Sequence, residues 1–115
     1  MIQIVRKYDI YLPLEYNPEP DGTRRRIEGE KFDRVEQKLF EEFGGVTFVQ
    51  EIFPLKGRWR GETRNYTDEI RIFTVLDFRD ETALGENFLK KYKETLKMEF
   101  QQEEILILYQ EMKTL

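Results

Sequence analysis

Residues 43–75 read F-G-G-V-T-F-V-Q-E-I-F-P-L-K-G-R-W-R-G-E-T-R-N-Y-T-D-E-I-R-I-F-T-V. This stretch decides the fold, because it sets two strand-like runs in succession between two helical ones. Residues 46–53 put Val46, Phe48 and Ile52 on one side and Thr47, Val49 and Phe53 on the other, the period-2 pattern of a strand. Pro54 has no backbone N–H to donate, which places this strand at a sheet edge. Residues 69–78 repeat the pattern. Ile70, Ile72, Leu76 and Phe78 share a side with Thr74, and Arg71, Phe73 and Val75 take the other. Between the two, residues 56–64 (K-G-R-W-R-G-E-T-R) are expected to form a loop, with Gly57 and Gly61 permitting tight backbone.

Working outward, residues 30–43 carry Phe32, Val35, Leu39, Phe40 and Phe43 at helical spacing, one apolar stripe. Gly44-Gly45 supplies a left-handed stop. Residues 80–101 carry Leu84, Phe88, Tyr92, Leu96 and Phe100 at four-residue steps, so they read as a second helix. Gly85 weakens its first turn. Residues 1–14 alternate as a strand: Ile2, Ile4, Tyr8, Ile10 and Leu12 on one side, Val5, Lys7, Asp9 and Tyr11 on the other. Residues 104–112 form a further strand around the apolar run Ile105 to Tyr109. Residues 15–29 hold Asn17-Pro18, Pro20, Asp21-Gly22 and then Arg24, Arg25 and Arg26. Those turn signals predict a long loop, either a solvated tip or a contact for an acidic partner.

The order β-α-β-β-α-β over residues 1–115, with no linker, predicts one α+β domain: a ferredoxin-like two-layer sandwich. Right-handed crossovers put both helices on one face of a four-stranded antiparallel sheet, in strand order 4-1-3-2. An α/β sandwich of the same elements in a different connectivity is the alternative. In the first arrangement Ile4, Tyr8, Ile10, Ile70, Ile72 and Leu76 meet the helices. Val5, Lys7, Asp9, Tyr11, Arg71, Phe73 and Val75 are left on the open face. Val5, Tyr11, Arg71, Phe73 and Val75 are then the expected interface of a homodimer, since an exposed apolar patch marks a contact surface and two-fold pairing is the commonest assembly.

Composition narrows the chemistry. The 115 residues contain no Cys, His or Ser. That removes thiol and serine nucleophiles, the imidazole base and the usual zinc ligands. The inventory calls for no cofactor and no metal. A formal charge of −4 argues against nonspecific nucleic-acid binding by the whole chain. No signal peptide is visible and no run approaches the roughly 20 apolar residues that span a bilayer, so a cytoplasmic protein is expected.

The candidate ligand site is Lys56, Arg58, Trp59, Arg60 and Arg64. Arginine beside an exposed indole can hold a planar anion by stacking and paired hydrogen bonds. The competing reading folds Trp59 back as an apolar plug and leaves the arginines solvated. Glu62, Asp68 and Glu69 gather nearby, but Asp68 and Glu69 are adjacent and point to opposite faces of a strand. RNA-recognition domains share the element order, and Tyr11 and Phe73 invite that comparison. The third strand lacks their Gly-rich basic-aromatic signature.

The series Phe43-Gly44-Gly45-x-Thr47, Gly57-x-Trp59 and Glu69 resembles a family of small uncharacterised bacterial proteins with an F-G-G-x-T … G-x-W … E pattern. The resemblance covers the middle third of the chain and implies a ferredoxin-like fold, with no activity to carry over. The reading that follows is a noncatalytic interaction module. It dimerises through its open sheet face and offers the Arg24–Arg26 and 56–64 loops to an acidic partner or anionic ligand. The alternative is a small cofactor-independent enzyme acting on an anionic metabolite in a dimer cleft, with Arg58 and Arg60 binding substrate and Glu62 or Glu69 as acid/base.

Overall fold

The computed structural model describes residues 2–49, 55–60, 65–81 and 83–115, with Trp59, Asn65 and Tyr66 described by backbone alone. The chain runs β1 (Gln3–Pro13), α1 (Gly29–Phe43), β2 (Thr47–Phe48), β3 (Leu55–Arg60), β4 (Asn65–Asp77), α2 (Ala83–Glu99) and β5 (Leu106–Thr114). The architecture is α+β. The strands order as β2-β4-β1-β5, with β3 also on β4, and every pairing is antiparallel.

Five strands are described where the sequence suggested four. The strand expected over residues 46–53 is reduced to Thr47 and Phe48, and residues 50–54 lie outside the described part. The expected 56–64 loop is a strand as far as Arg60. Glycines at 57 and 61 suggested a loop, yet Lys56, Arg58 and Arg60 alternate with Leu55, Gly57 and Trp59. That period-2 signal outweighs the glycines once β4 offers a partner edge.

The helices form where the apolar stripes lie. In α1, Phe32, Val35 and Leu39 are buried. Phe40, expected in the stripe, is mostly exposed. Gly44 takes the left-handed conformation (φ 79°) and donates its N–H to Phe40 O at 2.8 Å, ending the helix. In α2, Gly85, Leu89, Tyr92 and Leu96 are buried. The turn after it places Gln101 at φ 53°, while Phe100 N–H reaches Leu96 O at 2.9 Å and Gln102 N–H reaches Lys97 O at 2.9 Å.

Register fixes the faces. Tyr8 stands opposite Val75 and Ile10 opposite Phe73. Phe73 and Val75 are 0% and 1% exposed. They share one buried cluster with Phe32, Val35 and Leu39 of α1, Leu89, Tyr92 and Leu96 of α2, and Tyr8, Ile10 and Leu12 of β1. Both helices therefore cover the same face. The expected side assignment of β4 is corrected by one residue. Arg71, Phe73 and Val75 belong to the helix face, and Ile70, Ile72 and Leu76 to the other. Such a slip exchanges every side chain. Its source is that both parities of β4 carry apolar residues. The charged groups among the inward set find cover: the Arg71 guanidinium lies 4.8 Å from the Phe32 ring centroid, and Asp77 is held by Arg79.

Residues 15–28 are more ordered than a loop. Ile27 N–H donates to Leu14 O at 2.8 Å and Tyr16 N–H to Arg25 O at 2.9 Å, extending β1 as a small hairpin. Leu14, Tyr16 and Ile27 join the core. The Tyr16 hydroxyl donates to Glu28 and accepts from Lys31 Nζ. Lys31 also donates to Glu99 O at 2.6 Å, so a cation sits on the α2 C-terminus, where the helix dipole favours it.

Candidate interaction surfaces

On the face away from the helices, three cross-strand rows are set by register. Leu76, Lys7 and Gln110 form one; Thr74, Asp9 and Leu108 the next; Ile72, Tyr11 and Leu106 the third. Val5 pairs with Met112 one step before the first row. Leu76, Leu106, Leu108 and Met112 are 41–49% exposed. Neither helix covers them, so apolar side chains remain in water around a charged centre. That centre is Lys7 and Asp9, whose Nζ and Oδ2 lie 3.8 Å apart. Thr74 Oγ1 donates to Asp9 Oδ1 at 2.6 Å. Of the expected interface, Val5 and Tyr11 have the parity of this face, but Val5 is buried at 4% exposed and only Tyr11 reaches the surface. Arg71, Phe73 and Val75 do not. Leu106, Leu108 and Met112 were missed, although alternation along L-I-L-Y-Q-E-M already separates Leu106 and Leu108 from Ile107.

The second surface is β3. Strand alternation puts Lys56, Arg58 and Arg60 on one face of it, and all three are exposed. Lys56 stands opposite Glu69 and Arg58 opposite Thr67. The Trp59 backbone pairs with Tyr66; its side chain and all of Arg64 lie outside the described residues. Arg24, Arg25 and Arg26 do not join this row. Arg24 Nη2 bonds Asp68 Oδ1 at 2.8 Å, Arg25 Nε reaches Glu19 Oε1 at 3.3 Å beside the Tyr16 ring, and Arg26 lies 3.7 Å from Glu69 Oε2. Each has an acidic partner within the chain.

A buried charge cluster closes one end of the sheet. Arg79 donates from Nε to Asp77 Oδ1 at 2.8 Å and from Nη1 to Glu42 Oε2 at 2.8 Å. Arg6 Nη2 donates to Arg79 O at 3.0 Å and approaches Asp77 Oδ2 to 3.8 Å. Burial pushes the Asp77 carboxyl up, but the Arg79 hydrogen bonds and the two arginine charges outweigh it and hold it below the usual carboxylate range. Other carboxylates shift the same way: Asp21 through Thr23, Glu28 through Tyr16 and Glu104 through Lys93. Carboxylates held ionised suit ion pairing more than proton transfer.

A groove of about 180 Å³ between α2 and β5 is lined by Tyr8, Leu89, Lys93, Ile107 and Tyr109; wider open clefts of about 410 Å³ and about 600 Å³ lie beside Gly44, Thr47 and Leu76 and beside Ile4, Arg79 and Glu111. Among the described residues no three His, Cys, Asp or Glu side chains are grouped to hold a metal ion. No described helix is long and apolar enough to cross a membrane. No family model, curated protein or solved structure matches this chain.

Proposed function

We propose that this protein is a noncatalytic interaction module that dimerises through the open face of its sheet. The observation that carries the reading is the exposure of Leu76, Leu106, Leu108 and Met112 on a face with no helix of its own. The basic row Lys56, Arg58 and Arg60 then serves an acidic partner or a small anionic ligand, three cations repeating every second residue along one strand. We further assign the ferredoxin-like arrangement, counting β2 and β3 as one interrupted edge strand. Both pair with the same strand, β4. Phe48 faces Phe73 and Leu55 faces Ile70, so six residues on one side answer two on the other. The family resemblance at Phe43–Thr47 and Gly57–Trp59 points the same way.

Sedimentation of the wild type against Leu108→Arg tests the first claim. The wild type should sediment as a dimer and the variant as a monomer with an unchanged thermal melt. A wild-type monomer at high concentration removes the reading. The emission of Trp59, the sole tryptophan, tests the second: titration with phosphates, polycarboxylates and acidic peptides should perturb it for one class and fail to do so in Arg58→Ala/Arg60→Ala.

A further inference from the structure

Resting on the reading that the open face is the dimer surface, we infer that two copies stack about a two-fold axis running across the strands. The axis passes between the Lys7 row and the Asp9 row. Each β1 then lies antiparallel over its counterpart, and each Lys7 meets Asp9 of the partner subunit.

Symmetry leaves few choices. When two identical faces pack on each other, the two-fold axis lies in the plane between them. An axis at a given angle to the strands puts the partner's strands at twice that angle. In aligned packing, where the sheets cross at about 30° or less, the axis runs either nearly along the strands or nearly across them. Packed sheets stand about 10 Å apart, close enough for Lys7 and Asp9 to touch what lies above.

Charge selects between the two. With the axis along the strands and over β1, Lys7 falls on the partner's Lys7 and Asp9 on the partner's Asp9; shifted between β1 and a neighbouring strand, it sets Lys7 over the partner's Gln110 or the partner's Leu76 and Asp9 over the partner's Leu108 or the partner's Thr74, so neither charge meets a counter-charge of the partner. With the axis across the strands and between the rows, the rows exchange. Lys7 falls on the partner's Asp9, twice by symmetry, closing a ring of four alternating charges. The groups can accept this. Asp9 uses Oδ1 for Thr74 and faces Lys7 with Oδ2, and a carboxylate has about four acceptor sites. Lys7 and Asp9 side chains are 33% and 26% exposed, so both still reach outward.

The apolar groups agree with this choice. Exchange of rows about that axis carries Met112, 41% exposed beside the buried Val5, onto the Ile72–Tyr11–Leu106 row. Apolar side chains thus meet apolar ones on both sides of the charged ring. On β5, Gln110 comes over Leu108 of the partner subunit, and on β4 Leu76 comes over Thr74 of the partner subunit. The face is complementary to itself in this setting.

The chain has no cysteine, which makes cross-linking clean. Gln110→Cys and Leu108→Cys are made separately, with tags of different mass, and oxidised alone and mixed. The mixture should form the mixed disulfide dimer at least tenfold faster than either protein links to itself. Rapid self-linking of Gln110→Cys overturns the axis while leaving the open-face dimer standing. Lys7→Asp and Asp9→Lys should each weaken self-association on the order of a hundredfold, a factor of ten for each of two contacts. The double swap Lys7→Asp/Asp9→Lys should restore it. Single variants that dimerise like wild type overturn the charge pairing. A dimer that survives Leu108→Arg, or a wild-type monomer, removes the open-face reading and this inference with it.

Discussion

Gly85 stands against the carboxylate of Asp77: a β-carbon at position 85 would lie 2.5 Å from Asp77 Oδ2 and 3.2 Å from both the Phe43 and Tyr8 rings. Asp77 cannot step aside cheaply, because Arg79 grips both its oxygens. In an ordinary helix Gly→Ala gains about 1 kcal/mol. Here the clash should reverse the sign. Gly85→Ala is expected to lose about 1–2 kcal/mol net through overpacking and to melt several degrees lower. A higher melting temperature would mean that the first turn of α2 has slack.

Asp77 itself sets an acid limb. Its folded pKa lies below the unfolded value of about 3.9. Its stabilisation is therefore complete above that unfolded value and is lost as pH falls through the folded one. Asp77→Asn leaves Arg6 and Arg79 short of a counter-charge and should cost about 3 kcal/mol at pH 7. The gap between the two proteins should narrow below about pH 4. Urea unfolding at pH 7, 4 and 2.5 checks this, and a constant gap refutes it.

Gln101 holds a left-handed conformation at the end of α2. A residue with a β-carbon pays roughly 1 kcal/mol there, and glycine pays nothing. Gln101→Gly should raise stability by about 0.5 kcal/mol after the greater freedom of the unfolded glycine chain is counted. Differential scanning calorimetry should read a small upward shift.

Phe73 and Leu108 separate core from surface. Phe73 is fully buried and its ring lies 4.9 Å from that of Phe48. Phe73→Ala should lose about 3–5 kcal/mol, and Phe73→Asp should lose the folded circular dichroism spectrum. Leu108→Arg, on the opposite face, should keep the spectrum and change only the mass in solution.

The Tyr16 hydroxyl links Glu28 to Lys31. That bond is the main reason the Glu28 carboxyl sits below its usual range. Tyr16→Phe should let Glu28 titrate nearer its ordinary value, read by carboxyl NMR. It should also cost about 1 kcal/mol for the lost bonds of a buried hydroxyl.

The helices were legible because each has an apolar stripe and a clean stop; β1 was legible over Tyr8, Ile10 and Leu12, while at its start Ile4, expected inward, is 56% exposed and Val5, expected outward, is buried. Phe32, Val35 and Leu39 could face only one way, and Gly44 could end α1 only as it does. β4 was not legible in its facing. Ile70, Ile72 and Leu76 outweigh Phe73 and Val75 by count, and what turns the strand over is tertiary. Arg71 finds Phe32, and Asp77 finds Arg6 and Arg79, none of which local pattern reveals. Of the candidate ligand row, Lys56, Arg58 and Arg60 lie on one side of a strand where a loop was expected. Arg24 and Arg26 read as an open basic patch because their partners Asp68 and Glu69 lie some forty residues away, whereas Arg25 pairs with the nearby Glu19.

β1 occupies the middle of the sheet, yet both its neighbours come from much later in the chain: β4 on one side, and on the other β5, where Gln3 pairs with Thr114 across 111 positions. On the ribosome this strand emerges before either neighbour and waits. At about 5–20 residues per second, some seconds pass before β4 follows it out and several more before β5 does. Through that interval its alternating apolar row has no permanent mate. The newborn segment is thus the one most exposed to foreign edges, and the completed fold hides in its centre the part that was longest at risk.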